Sequence, residues 1–176
     1  GFLGLQRSRF DAVKHASFKV REGEILGIVG ESGSGKTSVG RLIVGLERPS
    51  AGTIRIDGGE ETSVVHLTRR DTQLIFQDPQ SALNPRRNVM HLLTQALEVG
   101  DNYKPEPERR VVAQTLLRDT GLPPDCLDRF PSQLSGGQRQ RVNIGRALGA
   151  KPNLVVADEI VSGLDVSVQA HILNCL

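Results

Sequence analysis

The feature that most constrains this chain is a glycine-rich turn between two apolar segments. Residues 25–29 form a short apolar run that favours a strand, and residues 38–44 favour a helix. The turn between them matches the pattern G-x-x-x-x-G-K-[ST] at every fixed position. With the residue that follows it, the turn consists of Gly30, Glu31, Ser32, Gly33, Ser34, Gly35, Lys36, Thr37 and Ser38.

This pattern suits phosphate because small residues let several backbone N–H groups converge on one anion. The helix that starts near Lys36 adds the positive end of its dipole. We expect Lys36 to reach the β- and γ-phosphates of a nucleotide and the Thr37 hydroxyl to ligate Mg²⁺. A chance glycine turn before a helix is the alternative, and the strand and helix flanks argue against it. The sequence therefore predicts a site for a nucleoside triphosphate.

Composition narrows the class of protein. The chain has 176 residues, 38% hydrophobic and 24% charged, as expected of a globular protein with one core or a core and a small satellite. The formal net charge is only +2 and the basic pairs are scattered, so nucleic acid is not expected as a partner. Two distant cysteines and four histidines without ligand spacing predict neither a disulfide framework nor a zinc site. No apolar run is long enough to span a bilayer, so we expect any membrane association to be peripheral.

The order of apolar and polar segments predicts an α/β protein interrupted by helices. Strands are predicted at residues 12–20, 25–29, 53–57, 64–67, 73–77 and 153–158. Helices are predicted after the glycine-rich turn and at residues 88–99, 107–120, 135–148 and 166–176. Residues 78–85 are predicted to be a loop because of their prolines. The chain then divides into an α/β core of residues 1–77 and 134–176 and a helical subdomain of residues 78–133.

Two acidic residues follow the last predicted strand. Asp158 and Glu159 come directly after the apolar residues 154–157. In an open parallel sheet, ligands bind at the carboxyl edge of the strands. Asp158 is therefore expected to hold Mg²⁺, directly or through water, and Glu159 to polarise the water that attacks the nucleotide. The alternative is a strand-terminal acid that caps the next helix.

A second glycine pair begins the helix predicted from Ser135. Ser135 is a good N-cap residue, and Gly136 and Gly137 expose backbone N–H groups ahead of Gln138. This is a second anion cradle, and one γ-phosphate does not need two cradles from the same chain. We therefore expect Ser135, Gly136, Gly137 and Gln138 to face the nucleotide bound by another subunit.

Together these segments resemble the nucleotide-binding domain of ATP-binding cassette (ABC) transporters over essentially the whole chain. The matching motifs are Walker A at residues 30–37, the Q-loop glutamine at Gln77, the signature motif at residues 134–138, Walker B at residues 154–158 and the D-loop at residues 162–165. The resemblance implies a P-loop ATPase fold with a mostly parallel sheet and an inserted helical subdomain. It also implies that ATP and Mg²⁺ bind, that Gln77 senses Mg²⁺ and the attacking water, and that Glu159 is the catalytic base.

A narrower resemblance involves the segment after Gln77. Residues 77–86 are similar to a stretch found in the oligopeptide, dipeptide and nickel importer branch, and so are residues 130–133 and 164–170. This implies an ATP-hydrolysing importer subunit for peptides or similar small solutes, peripheral to the cytoplasmic face of the membrane. Its implied partners are a second ABC subunit in a head-to-tail nucleotide sandwich, permease subunits that contact the loop after Gln77, and, indirectly, a substrate-binding protein.

The chain departs from the family pattern at three places. Residues 160–161 are Ile-Val where the family usually has Pro-Thr. His171 comes too early to be the family's switch histidine, which is expected beyond Leu176. In the family, a strand and an adenine-stacking aromatic residue normally precede a stretch like residues 1–11. Phe10 is a candidate for stacking on adenine, with packing in the core as the alternative. We therefore expect a fragment trimmed at both ends that hydrolyses ATP weakly or not at all.

Two other functions fit the same motifs. A soluble ABC-type clamp acting on DNA or ribosomes would carry strongly basic faces or long coiled-coil insertions, and the sequence has neither. A binding-only cassette would lack the catalytic acid, whereas Glu159 and the signature motif are both in place. The importer subunit therefore remains the preferred interpretation.

Overall fold

The structure is a computed structural model that describes residues 11–55 and 72–158. In this part of the chain the helices are α1 (Lys36–Ile43), α2 (Pro79–Ala82), α3 (Val89–Leu93), α4 (Glu106–Asp119) and α5 (Gly136–Gly149). The strands are β1 (Thr72–Ile75) and β2 (Leu154–Ala157), and short 3₁₀ turns lie at Gln95–Leu97, Gly100–Asn102, Pro124–Cys126 and Pro131–Gln133. None of the described helices has the length and apolar character needed to cross a membrane.

The two strands form a parallel pair in register. Thr72 lies opposite Leu154 and Ile75 opposite Ala157. The ladder continues one step further, because the Asp158 N–H donates to the Ile75 carbonyl oxygen at 3.2 Å. Since parallel strands end at a common edge, the residues that follow β1 and β2 leave the sheet together.

Helices α1 and α5 pack against these strands. A Cβ atom on Gly40 of α1 would lie 3.1 Å from Val156 Cγ1 of β2, so the helix backbone approaches the sheet closely. Helix α5 contacts β1 through a buried apolar cluster of Ile75, Ile144 and Ala147. These contacts form the core beneath the carboxyl edge of the sheet.

A larger apolar cluster lies among α3, α4 and α5. Its buried members are Leu83, Val89, Met90, Leu92, Leu93, Ala113, Leu117, Leu122, Cys126, Leu127, Leu134 and Val142. Helix α5 supplies Val142 to this cluster and Ile144 to the smaller one, so it joins the helical part of the chain to the sheet. The exact division into a core and a subdomain stays a prediction.

A cluster of charged side chains ties α3 to α4. The carboxylate of Glu98 accepts hydrogen bonds from Arg87 and from Arg109 at 2.6 Å, and its Oε1 atom lies 3.0 Å from His91 Nδ1. Arg109 is 8% exposed. Desolvation opposes ionisation of Glu98, but the hydrogen bonds from Arg87 and His91 and the charges of Arg87 and Arg109 outweigh it and lower its pKa to about 2.

Two of the predicted strands are not found. Within the part of the chain that the structure describes, residues 12–20 and 25–29 join no ladder. Ile54 makes a single bridge in the strand predicted at 53–57, of which residues 56–57 lie outside the described part. Ile25 is 78% exposed and Val29 is 93% exposed. An apolar pattern identifies residues that can pair, but a strand forms only where a neighbouring strand completes the hydrogen bonds. The predictions for residues 64–67 and 166–176 lie outside the described residues.

The predicted helices and the other strands are mostly confirmed. Helices α4 and α5 and strands β1 and β2 match the predictions for 107–120, 135–148, 73–77 and 153–158 in type, with ends shifted by a few residues. The helix predicted at 88–99 is shorter, because α3 ends at Leu93 and a 3₁₀ turn follows.

The loop predicted at residues 78–85 is wrong over its first half, which forms α2. The Asp78 carboxylate accepts hydrogen bonds from the backbone N–H groups of Gln80 at 2.9 Å and Ser81 at 3.3 Å. Pro79 occupies the first helical position, where its missing N–H costs nothing. An aspartate before a proline is a helix-start signal, so the sequence contained the information.

Candidate functional site

The glycine-rich turn adopts a conformation that requires glycine at its end. Gly33 and Gly35 have φ values of 80° and 92°, in the left-handed region. The turn is closed by the Ser34 N–H, which donates to the Glu31 carbonyl oxygen at 3.2 Å. A Cβ atom on Gly35 would lie 2.4 Å from the Ala12 carbonyl oxygen, so no larger residue fits. The tight curl leads directly into α1, with Gly35 as its N-cap.

Lys36 curls back over this turn. Its Nζ atom donates to the carbonyl oxygens of Gly30 and Glu31, at 2.7 Å each. An ammonium group has three donors, so these two bonds leave one for a further acceptor. The positive charge thus lies beside the first N–H groups of α1, which have no acceptors within the helix. Together they make a site that fits a phosphate group.

The chemistry for a magnesium ion is also present near this turn. Thr37 is exposed at the start of α1, and Asp158 is half-buried at the end of β2. Gly40 of α1 packs against Val156 of β2. Thr37 lies about 4.5 Å from Gly40 along the helix axis, and Asp158 lies about 6.6 Å from Val156 along the strand. Thr37 and Asp158 therefore belong to the two elements that meet at the contact between Gly40 and Val156.

The Thr37 hydroxyl and the Asp158 carboxylate suit a Mg²⁺ ion shared with a nucleotide better than a metal ion bound by protein ligands alone. Magnesium takes oxygen ligands, keeps several waters and is commonly shared with substrate phosphates. Among the described residues, no group of three or more acidic, histidine or cysteine side chains could hold a metal. A site built from one hydroxyl, one carboxylate and nucleotide oxygens needs no such group.

Gln77 leaves the sheet at the same edge as Asp158. It follows β1 and is exposed, and the residue before it is anchored because the Phe76 carbonyl oxygen accepts from Asn143 Nδ2 at 3.0 Å. Asp78, the residue after Gln77, caps α2. The hydrogen bond that its carboxylate accepts from the Gln80 N–H is the main cause of its lowered pKa. The segment around Gln77 is therefore fixed on both sides.

Ser135 and Gln138 cap the helix that they begin. The Ser135 hydroxyl accepts from the Gln138 N–H at 3.2 Å, and Gln138 Oε1 accepts from the Ser135 N–H at 2.9 Å. Gln138 Nε2 also lies 3.8 Å from the sulfur of Cys126. This structural use of Gln138 was missed at the sequence level, although serine followed three residues later by glutamine is the pattern of a capping box.

Gly136 presents an open surface at the start of α5. It is exposed, and a Cβ atom on it would meet nothing within 4 Å. Asn143, which touches the segment around Gln77, lies seven residues further along α5, about 10 Å on the helix axis. No hydrogen bond or ion pair between described residues joins residues 135–138 to residues 30–38. Among the described residues, the two glycine motifs thus share no polar contact within one chain.

Three parts of the predicted site lie outside the described residues. They are the candidate catalytic base Glu159, the D-loop at residues 162–165 and the candidate adenine-stacking residue Phe10. Their roles stay predictions from the sequence.

Sequence comparison relates the chain to known proteins. Residues 13–162 match the profile of the family described as ABC transporter. The oligopeptide transport ATP-binding protein AmiF of Streptococcus pneumoniae is 45% identical over 99% of this chain and 58% of its own length. The oligopeptide transport ATP-binding protein OppF of Streptococcus pyogenes is 43% identical over the same shares. The probable peptide ABC transporter ATP-binding protein y4tS of Sinorhizobium fredii is 45% identical over 94% of this chain and 48% of its own length.

Structure comparison gives the same relation. The ATP-binding cassette MJ0796, in a dimeric post-hydrolysis state bound to ADP and Pi, superposes with a TM-score of 0.83 at 30% identity. The match covers 93% of this chain and 72% of that one. A second dimeric structure of the same bacterial ABC transporter cassette also superposes with a TM-score of 0.83. These matches confirm the predicted α/β P-loop ATPase fold. The chain spans 48–58% of the length of the three relatives named above.

Proposed function

Because this chain belongs to the ABC transporter family, we propose that it is the ATP-binding and ATP-hydrolysing part of an importer for peptides or similar small solutes. The observation that carries the proposal is the glycine turn with Lys36 folded over it ahead of α1. The peptide substrate is supported by the relatives, which are named as oligopeptide transport ATP-binding proteins.

Binding of ATP uses the turn and the start of α1. The backbone N–H groups of the turn and the first turn of α1 hold the β- and γ-phosphates, and the Lys36 ammonium exchanges its carbonyl acceptors for phosphate oxygens. Thr37 and Asp158 would hold Mg²⁺, Asp158 either directly or through water. When bound there, the ion would supply positive charge against the phosphate oxygens.

Hydrolysis uses the groups at the carboxyl edge of the sheet. Gln77 orients the attacking water and contacts the metal, and Glu159 accepts a proton from that water. Both are carried by segments that follow neighbouring parallel strands, β1 and β2. In this arrangement the protein acts mainly by positioning the attacking water relative to the phosphate, as is typical of phosphoryl transfer.

A complete site requires two copies of the cassette. Ser135 caps the helix that carries Asn143 beside the segment around Gln77, and the capping box uses the Gln138 N–H while Gly136 is exposed with open space around it. In a head-to-tail dimer, Ser135, Gly136, Gly137 and Gln138 of one copy close over the nucleotide of the other. The dimeric form of the MJ0796 cassette supports this arrangement.

The permease contact lies after Gln77. Gln73 of the preceding strand and Arg87 at the end of this segment line an open cleft of about 450 Å³, together with Gln95, Ala96, Glu98, Val99, Asn102, Arg146 and Ala150. A cleft with both apolar and charged walls fits a short helix of a membrane subunit at the cytoplasmic face. A separate substrate-binding protein presents the peptide on the other side.

The first experiment tests the nucleotide site. Lys36→Ala should abolish measurable binding of ATP–Mg²⁺ in a calorimetric titration, because it removes the only side-chain cation predicted to touch the phosphates. Lys104→Ala is the matched control, since Lys104 is an exposed lysine paired with Glu108 on α4. Equal affinity of the Lys36 variant and the wild type would refute the proposed site.

The second experiment tests the composite site. Gly136→Arg should block the partner's nucleotide without disturbing its own fold, because Gly136 has open space around it. Lys36→Ala and Gly136→Arg should each be inactive alone, and an equal mixture should recover ATP hydrolysis, since mixed dimers contain one intact site. Failure of the mixture, with both variants folded and dimeric, would mean that the two motifs do not act across a dimer.

A further inference from the structure

Helix α5 holds both ends of the segment that carries Gln77. At one end, Asn143 Nδ2 donates to the Phe76 carbonyl oxygen at 3.0 Å. At the other end, one Arg146 guanidinium nitrogen donates to the Ala82 carbonyl oxygen at 3.0 Å. The segment between these two carbonyl groups contains Gln77, Asp78 and all of α2.

The two side chains on α5 also hold each other. A second guanidinium nitrogen of Arg146 donates to Asn143 Oδ1 at 3.1 Å, and the guanidinium carbon lies 5.9 Å from the centre of the Phe76 ring. Asn143 is completely buried. Asn143, Arg146 and the Phe76 backbone and ring therefore form one connected unit, in which neither polar side chain moves alone.

This unit is built from groups that are costly to bury. Within the described residues, no carboxylate pairs with Arg146, whose hydrogen-bond partners are a backbone carbonyl and an amide oxygen. Its Nε atom is buried without a partner among the same residues. A helix face that needed only packing would carry apolar side chains at such positions, because a desolvated cation without a carboxylate is unfavourable.

We propose that Asn143 and Arg146 are positioning residues that set the place of Gln77 from α5 and so couple it to the glycine pair at the start of the same helix. The proposal rests on the proposed function, in which Gln77 orients the attacking water. Helix α5 runs without interruption from Gly136 to Gly149, so a displacement at its first turn reaches Asn143 as a rigid movement. Closing a partner cassette over Gly136 then shifts the Phe76 carbonyl and with it Gln77.

The side-chain chemistry explains why these residue types are needed. The planar guanidinium of Arg146 reaches two acceptors in fixed directions while stacking on an aromatic face, which a lysine ammonium does not do. The amide of Asn143 both donates to Phe76 and accepts from Arg146. An aspartate at this position keeps the acceptor and loses the donor, so Asn143→Asp separates the two bonds.

The expected kinetic effect follows from the loss of one or more of these hydrogen bonds. Asn143→Ala, Asn143→Asp and Arg146→Met should lower kcat for ATP hydrolysis about 10-fold to 100-fold, because Gln77 is displaced from the water that it orients. The KM for ATP should stay within about twofold, since the turn around Lys36 is untouched. The Mg²⁺ concentration for half-maximal rate should rise in the same variants. Arg146→Lys should recover part of kcat through its remaining bond to Ala82.

Arg110→Met is the control. Arg110 lies on α4 and forms an exposed pair with Asp128, and its described hydrogen bonds reach neither residues 76–82 nor residues 135–138. It should leave kcat per nucleotide site and the Mg²⁺ dependence unchanged. If Asn143→Ala does not fold, Asn143→Asp carries the test, because it preserves side-chain size.

Hydrogen exchange gives a readout that does not depend on hydrolysis. In the complete gene product, the backbone amides of residues 76–82 should exchange faster in Asn143→Asp than in the wild type, while those of α4 should not change. Unchanged exchange at residues 76–82, or a kcat no lower than that of Arg110→Met, would overturn the inference. A wild type that binds ATP but never hydrolyses it would instead refute the proposed function.

Discussion

The charge cluster around Glu98 offers a quantitative test of the packing between α3 and α4. Replacing Glu98 with glutamine keeps the shape of the side chain and removes its charge. Three cationic or titratable groups, Arg87, His91 and Arg109, then face an amide, and Arg109 is almost fully buried. Removing one partner of a buried pair leaves an uncompensated charge, so the variant should be strongly destabilised.

The magnitude follows from the lowered pKa of Glu98. The pKa falls from 4.5 to about 2, which at about 1.4 kcal/mol per pH unit corresponds to about 3 kcal/mol. The Glu98 side chain is 22% exposed, so solvent screening reduces this to about 2–3 kcal/mol at pH 7. Because the folded-state pKa lies below 4.5, the contribution is complete above pH 4.5 and is lost as the pH falls toward 2.

The assay is urea unfolding of wild type and Glu98→Gln, followed by circular dichroism at pH 7 and at steps between pH 5.5 and 2.5. The difference in unfolding free energy should be about 2–3 kcal/mol at pH 7 and should fall by more than half by about pH 3. Glu108→Gln is the control, since Glu108 forms an exposed pair with Lys104 and should cost less than about 0.5 kcal/mol. A Glu98 effect below 0.5 kcal/mol, or one that persists undiminished at pH 3, would refute the reasoning.

Three further predictions concern close contacts and the exposed loop. Gly149→Ala should destabilise the fold by about 1–3 kcal/mol in urea unfolding, because its Cβ would lie 2.3 Å from the Leu93 carbonyl oxygen. Gly136→Ala is the control, since its Cβ would meet nothing within 4 Å, and an effect of the same size there would contradict the prediction. Gly35→Ala should weaken ATP binding by calorimetry about 10-fold or more, because its Cβ would meet the Ala12 carbonyl oxygen at 2.4 Å; unchanged affinity would mean that the turn is not the site. In the reconstituted transporter, Arg86→Glu should uncouple ATP turnover from peptide uptake without changing ATP affinity, and normal coupling would reduce this loop to a linker. Arg87 is unsuitable for that test because it is bound to Glu98.

Short sequence patterns correctly predicted the elements whose stabilising contacts lie within a few residues along the chain. The glycine pattern, the lysine and the following helix are all found, because a tight turn and a helix start depend on nearby atoms. Ser135 was expected to cap α5 and does so. At residues 79–82 two local signals conflict, because the prolines of residues 78–85 favour a loop whereas Asp78 before Pro79 favours the helix that forms.

Pairing between distant segments could not be predicted in the same way. The apolar run at residues 25–29 has the composition of a strand, yet its partners are chosen by the rest of the sheet and not by its own residues. The cluster around Glu98 is another example, since it joins Arg87, His91 and Arg109 across a turn and a helix with no sequence pattern to announce it. Such contacts depend on tertiary packing, and single-sequence periodicity carries no information on them.

Helix α5 shows how one amphipathic stretch can serve several purposes at once. Its apolar face is explained by packing, because Val142 and Ile144 are completely buried in two separate clusters. Packing does not explain Asn143, which is buried between them and directs its amide at the Phe76 carbonyl oxygen. A polar residue inside an apolar stripe violates the helical pattern, and such violations are expected where function outweighs stability. The exception to the periodicity of α5, more than the periodicity itself, identifies the helix as the connection between the two halves of the proposed site.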